Sequence, residues 1–84
     1  MESVLDLSTQ QAFATVLRRR RHALGISQEE LAHRAGITMR YVSLLETGKR
    51  VPTIVVLFAL ATGLTCSATD FVHEIEEQKM LADS

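Results

Sequence analysis

The sequence predicts an all-α fold, five short helices packed as one compact domain, on three observations. No stretch alternates apolar and polar residues at the two-residue period of a strand. A Ser or Thr stands just ahead of each apolar-periodic run, where a helix cap belongs. Gly25, Gly36, Gly48 and Gly63 punctuate those runs where helices exit. Apolar residues make up 46% of the 84 and charged residues 23%, the balance of a globular chain rather than a disordered one. A chain this short buries a modest share of its surface, so a stability of only several kcal/mol is expected.

The first start is "LSTQQ", in which Ser8 offers a cap and Gln11 lies three residues on. Phe13, Val16, Leu17 and Leu24 follow at helical spacing until Gly25 ends the run. "ISQEEL" opens the second helix: Ser27 caps, Glu30 is placed to complete a capping box, and Ile26 to staple against Leu31. Leu31 and Ala35 form its inner stripe, Ala32 lies beside them, and Gly36 stops it. The third helix starts almost at once, with Thr38 as cap and Ile37 placed against Val42. It runs to about Thr47, and Gly48 supplies a left-handed exit. Pro52 and Thr53 open the fourth, "TIVVLFALATGL", where Ile54, Leu57, Phe58, Ala61 and Leu64 share one face and Gly63 closes the helix. In "CSATDF", Ser67 caps, Asp70 fills the box position and Cys66 staples against Phe71; the last helix passes Val72 and Ile75 and frays near Met80. Residues 1–84 thus form one domain with no internal repeat or linker.

No apolar run reaches the ~18 residues that span a bilayer, because Thr62, Gly63 and Thr65 interrupt the longest. The opening MESVLDLSTQ has no basic segment, so no secretory signal is expected, and the lone Cys66 fits a reducing cytoplasm. Net charge is −1, but its distribution is uneven. Residues 1–50 carry eight Lys/Arg and five Asp/Glu, a balance of +3; residues 51–84 carry one and five, a balance of −4. Such segregation permits a basic working face on a nearly neutral molecule, although a solvated charge run is the plain alternative.

On a wheel at ~100° per residue, Val42 and Leu45 set the inward direction of the third helix. Arg40 and Thr47 lie opposite, flanked by Ser43 and Leu44; Tyr41 and Glu46 fall at the borders, and Met39 on the outward side. That face holds a cation, hydroxyls and an apolar residue with no acid at its centre. Spacing across the second and third helices is the stronger signal. Counted from Gln28, an apolar residue falls fourth (Leu31), a small one fifth (Ala32), glycine ninth (Gly36), and Val42 and Leu45 fifteenth and eighteenth. Helices crossing steeply through a short turn need a small residue at the corner and a positive φ in the turn. Residues 27–47 therefore read as a helix-turn-helix.

The stretch "RHALGISQEELAHRAGIT", continued by "YVSLLETGKRVP", resembles the lambda-repressor/Cro-like helix-turn-helix family, also called XRE, over about residues 13–72. The resemblance implies a five-helix domain that binds DNA operators as a two-fold dimer, the second helix across the backbone and the third in the major groove. It also implies that Gln28 contacts phosphate and braces the recognition helix, and that Arg21 and Glu46 form a largely buried ion pair. The wheel separately places Glu46 half-buried, where an unpaired carboxylate is costly. Two departures stand out. Leu44 occupies a position usually polar or cationic, meeting a thymine methyl or being merely tolerated. Val55, Val56 and Ala59 replace common polar residues on the fourth helix.

The expected DNA-facing set is Gln28, Thr38, Met39, Arg40, Tyr41, Ser43, Leu44, Thr47, Lys49 and Arg50. Arg40 is the best candidate base reader, its planar fork suited to guanine O6 and N7, with a phosphate contact or no contact as the alternative. Thr38 and Ser43 suit phosphate or bases, Tyr41 either packing with its hydroxyl on phosphate or a base contact, Lys49 and Arg50 phosphate. Arg18, Arg19, Arg20 and Arg21 spread over ~300° of their helix; Arg21 turns to Glu46, and one or two of the others are expected to reach the DNA backbone. Surplus apolar surface at Val55, Val56, Ala59, Phe71, Val72 and Ile75, within a dimerisation region of about 53–80, predicts a homodimer. His22, His33 and His73 have no partners at metal-ligand spacing, and no nucleophile–base pair, phosphate loop or carboxylate dyad stands out. No cofactor, metal or enzymatic activity is expected. With no room for a sensing domain, regulation falls to concentration, tandem-site cooperativity, or a partner such as RNA polymerase or a small protein antagonist. The short form resembles restriction–modification controller proteins, the preferred reading, as well as phage Cro-type repressors and antitoxins. A protein-interaction module that has lost DNA binding is the alternative of a different class.

Overall fold

The structure, a computed structural model, describes residues 7–83; the acidic opening segment and Ser84 lie outside the described residues. Five helices follow one another: α1 (Leu7–Leu24), α2 (Gln28–Ala35), α3 (Met39–Glu46), α4 (Ile54–Gly63) and α5 (Ala68–Asp83). Four of the starts are capped by the hydroxyl residues that the sequence marks. Ser27 Oγ accepts from Glu30 N at 2.9 Å, Thr38 Oγ1 from Tyr41 N at 3.1 Å, Thr53 Oγ1 from Val56 N at 3.1 Å, and Ser67 Oγ from Asp70 N at 3.0 Å. Each bond satisfies an amide that the first helical turn leaves without a partner, typically worth about 1 kcal/mol.

α1 packs on α5 and α3, and α2 packs on α3 and α4. The shared core holds Phe13, Val16 and Leu17 from α1, Leu31 from α2, Val42 and Leu45 from α3, Leu60 from α4 and Phe71 from α5. Phe13 and Phe71 meet with ring centroids 5.9 Å apart at 49°, a tilted pairing that the ring quadrupoles favour.

Several local expectations are corrected. α1 is already helical at Leu7, so Ser8 lies inside the helix rather than capping it. Glu30 does not complete its capping box, because its carboxylate accepts from Arg34 Nε one turn on at 2.9 Å. The inward stripe of α4 is shifted: Ala61 and Leu64 are buried as expected and Leu57 packs on the core, but Leu60 joins them, while Ile54 and Phe58 are 67% and 56% exposed. The helix is apolar all round, so periodicity alone cannot choose its buried stripe. Gly63 does close α4, as expected, and the left-handed conformation beyond it falls on Thr65, at φ 60°. Gly63 also marks where α4 crosses α2, since a Cβ there would stand 3.1 Å from Leu31 Cδ1 and 3.2 Å from Arg34 Cβ. α5 does not fray at Met80 but continues to Asp83. Phe71 and Ile75, expected at a dimer interface, are buried in the chain's own core and leave little or no surface for a partner.

Candidate nucleic-acid interface

The α2–α3 corner is built as the spacing requires. Gly36 sits at φ +72°, and Ile37 N donates back to Ala32 O at 3.0 Å, closing the turn over a small side chain. Ala32 is buried where the helices approach, and Val42 and Leu45 are fully buried beneath α3. The opposite side of α3 is thereby fixed outward.

One network holds α3 at its angle. Glu46 is 2% exposed, deeper than the half-burial read from the wheel. Its Oε2 accepts from Arg21 Nε at 2.6 Å, and its Oε1 from Arg21 Nη2 at 3.0 Å and from Gln28 Nε2 at 3.1 Å. Arg21 Nη1 also donates to Ile26 O at 2.9 Å, so the guanidinium bridges α1, the α1–α2 turn and α3. Burial pushes the Glu46 carboxyl up, but bonds from Arg21 and Gln28 and the arginine's charge outweigh it and hold the group below the ordinary glutamate value. The same bond to Glu46 raises Arg21 further, against the opposing effect of burial. Both remain charged.

The outward residues fall into three groups. Arg40, Met39, Thr47, Lys49 and Arg50 are exposed; Ser43, Leu44, Tyr41 and Gln28 are half-buried, with Tyr41 packed against the core. Thr38 is exposed with its hydroxyl committed to capping, and Thr47 Oγ1 donates back to Ser43 O at 3.0 Å. The arginine run behaves differently from expectation. Arg18 donates to Glu46 O at 2.5 Å, while Arg19 and Arg20 each reach the Glu74 carboxylate on α5 at 2.6 Å. These side chains tie α1 to its neighbours. The sequence does not announce the bond from Arg18, nor one from Gln10 to Gly48 O. Their spacing of two turns along α1 is the available signal, but a wheel does not show which backbone oxygens lie within reach.

Among the described residues the side chains of Arg18 to Arg21 and Arg34 all have intramolecular partners, whereas those of Arg40, Lys49 and Arg50 have none. The free positive charge is thus concentrated on α3 and the turn that follows it. No group of three or more His, Cys, Asp or Glu could hold a metal among the described residues, and no single helix is long and apolar enough to cross a membrane.

Comparison with known proteins agrees with this geometry. A helix-turn-helix family model matches residues 17–71. An uncharacterized HTH-type transcriptional regulator of Sinorhizobium fredii is 39% identical over 59 residues, 70% of this chain and 77% of the relative. The restriction-modification controller protein C.AhdI from Aeromonas hydrophila is 35% identical, with a TM-score of 0.71 over 74% of this chain and 94% of that one. The clp gene regulator ClgR from Corynebacterium glutamicum has a TM-score of 0.83 at 25% identity, over 89% of this chain and 80% of that one.

Proposed function

This chain belongs to the helix-turn-helix family of transcriptional regulators, and we propose that it reads a palindromic operator as a homodimer, with α3 in the major groove. The observation that carries this reading is the placement of unpaired cations on α3 and its exit, beside arginines that are all tied down elsewhere. Arg40 reads a base; Lys49 and Arg50 hold phosphate; Met39, Ser43 and Leu44 line the groove. Gln28 keeps one amide hydrogen for phosphate after donating the other to Glu46. Thr38, Tyr41 and Thr47 contribute at the margin, since capping, packing or a backbone bond already engages each.

Binding to random-sequence duplex at rising salt tests this reading. Affinity is expected to fall on a log–log plot with a slope of about −0.9 for each phosphate neutralised. No detectable binding at about 50 mM salt, where phosphate contacts are strong, favours the interaction-module alternative.

The dimer reading has its support on α4 and α5, where Ile54, Val55, Phe58 and Val72 are 67%, 74%, 56% and 47% exposed. Ile54, Phe58 and Val72 line a groove of about 460 Å³, an apolar concentration that a second copy would remove from water. Val56 and Ala59 are half-buried, Val56 packed against the core. Sedimentation at tens of micromolar is expected to show dimers, and Phe58→Asp to give folded monomers. Monomers of the unmodified chain at that concentration contradict the claim. A two-fold dimer sets its recognition helices about 34 Å apart, one turn of DNA. The likeness to C.AhdI favours a restriction–modification controller over a phage repressor or antitoxin. A methyltransferase or endonuclease gene beside this one supports that choice, and a toxin gene the antitoxin.

A further inference from the structure

α3 ends in a way that its own backbone does not complete. The last four carbonyls of a helix need outside donors. Ser43 O accepts from Thr47 N, Leu44 O from Lys49 N and Arg50 N, and Leu45 O from Gly48 N. Glu46 O takes its bond from α1, from Arg18 Nη1 at 2.5 Å. Two residues further on, Gly48 O accepts from Gln10 Nε2, again from α1. Gly48 itself stands at φ +74°, so the chain reverses sharply between these two anchored carbonyls.

Gln10, Arg18 and Arg21 lie along one side of α1, the first two separated by two helical turns. All three bind the end of α3 or its exit. Between α1 and that exit lies an open cleft of about 470 Å³, bordered by Ala14, Thr15, Arg18, Thr47 and Gly48. The exit turn therefore depends on hydrogen bonds from α1 more than on packing. The turn ends in Lys49 and Arg50, exposed and without side-chain partners.

We propose that Gln10 and Arg18 are positioning residues that hold turn 47–50 so that Lys49 and Arg50 stand where a phosphate backbone passes. The inference rests on the DNA-binding reading above and gives Arg18 a role in placing phosphate contacts, not in making one.

The test compares the full chain with Gln10→Ala/Arg18→Gln by amide exchange and by duplex binding. The Lys49 and Arg50 amides, now bonded to Leu44 O, are expected to exchange about tenfold faster, with α2 amides unchanged, because only the turn is released. The salt slope for random duplex is expected to become shallower by about 1 to 2, matching Lys49→Ala/Arg50→Ala, and combining all four changes should remove nothing more. Unaltered exchange overturns the latch. A loss that adds to that of Lys49→Ala/Arg50→Ala overturns it too, because Arg18 would then touch phosphate itself. Should the double variant not fold, Gln10→Ala alone, which leaves Arg18 in place, is read by the same two measurements: faster exchange with a shallower slope supports the latch, and unaltered exchange overturns it. An unmodified chain that ignores duplex DNA sinks both the operator reading and the positioning role, while the exchange result still shows separately whether the latch exists.

Discussion

Arg21→Ala is expected to cost about 3–5 kcal/mol of folding stability, the range for removing one member of a buried ion pair. Glu46 is the buried acid of the core, 2% exposed, and Arg21 supplies two of its three side-chain hydrogen bonds. Without the guanidinium the carboxylate must be protonated or left unpaired, and Ile26 O loses a donor as well. A loss of that size approaches the whole stability of a domain this small, so the variant is expected to be largely unfolded at 37 °C. Replacing both residues with apolar ones, Arg21→Met/Glu46→Leu, should recover much of the loss, because neither charge then needs solvation. Denaturant titration of the three proteins checks this. A cost below about 1 kcal/mol for Arg21→Ala would put the pair in the range of exposed salt bridges and contradict its role.

The pair also sets an acid limit. The Glu46 carboxyl titrates lower in the folded chain than the value of about 4.3 it has unfolded. Its contribution is therefore complete above that pH and is lost as pH falls toward the folded value. Glu74 acts in the same sense: burial raises it, but bonds from Arg19 and Arg20 more than offset that and hold it low. Melting temperature is expected to decline between about pH 5 and 3, with a shallower decline for Glu46→Gln.

Arg40→Ala is expected to relax preference at a single operator position, lowering affinity for the intact site by about 10- to 100-fold, the worth of one bidentate guanine contact. The side chain has no partner within the protein and lies opposite the buried Val42 and Leu45, so its removal should leave stability unchanged. Arg40→Lys keeps the charge but not the planar fork and is expected to behave much like alanine toward the base. Arg50→Ala should instead weaken all sequences alike and make the salt slope shallower by about 0.9. Equal losses at every site for Arg40→Ala would assign it to phosphate.

Where local chemistry is decisive, the fold is legible in the sequence. Ser27, Thr38 and Thr53 each place a short hydroxyl ahead of an apolar run, and Gly36 and Gly48 mark left-handed turns; such signals are complete within a few residues. Legibility fails where the answer depends on what lies across the molecule. The uniformly apolar α4 has no preferred face, so its pattern points Ile54 and Phe58 inward and leaves out Leu60, the reverse of their burial. Phe71 and Ile75 suit a core or an interface equally well, and only the packing of α1 against α5 decides between them. Four consecutive arginines announce positive charge, yet their targets on Glu46 and Glu74 lie at least 25 residues away in sequence. The spacing of residues 28–45 can be read in advance because the corner between α2 and α3 imposes its rule on adjacent positions.

Titration of the isotopically labelled chain with a random duplex at low salt, read amide by amide, tests the central claim most directly. The predicted result is a contiguous set of shifts over residues 38–50 with Gln28 included, leaving the exposed face of α5 unmoved. Shifts confined to α4 and α5, or none at all, would contradict it.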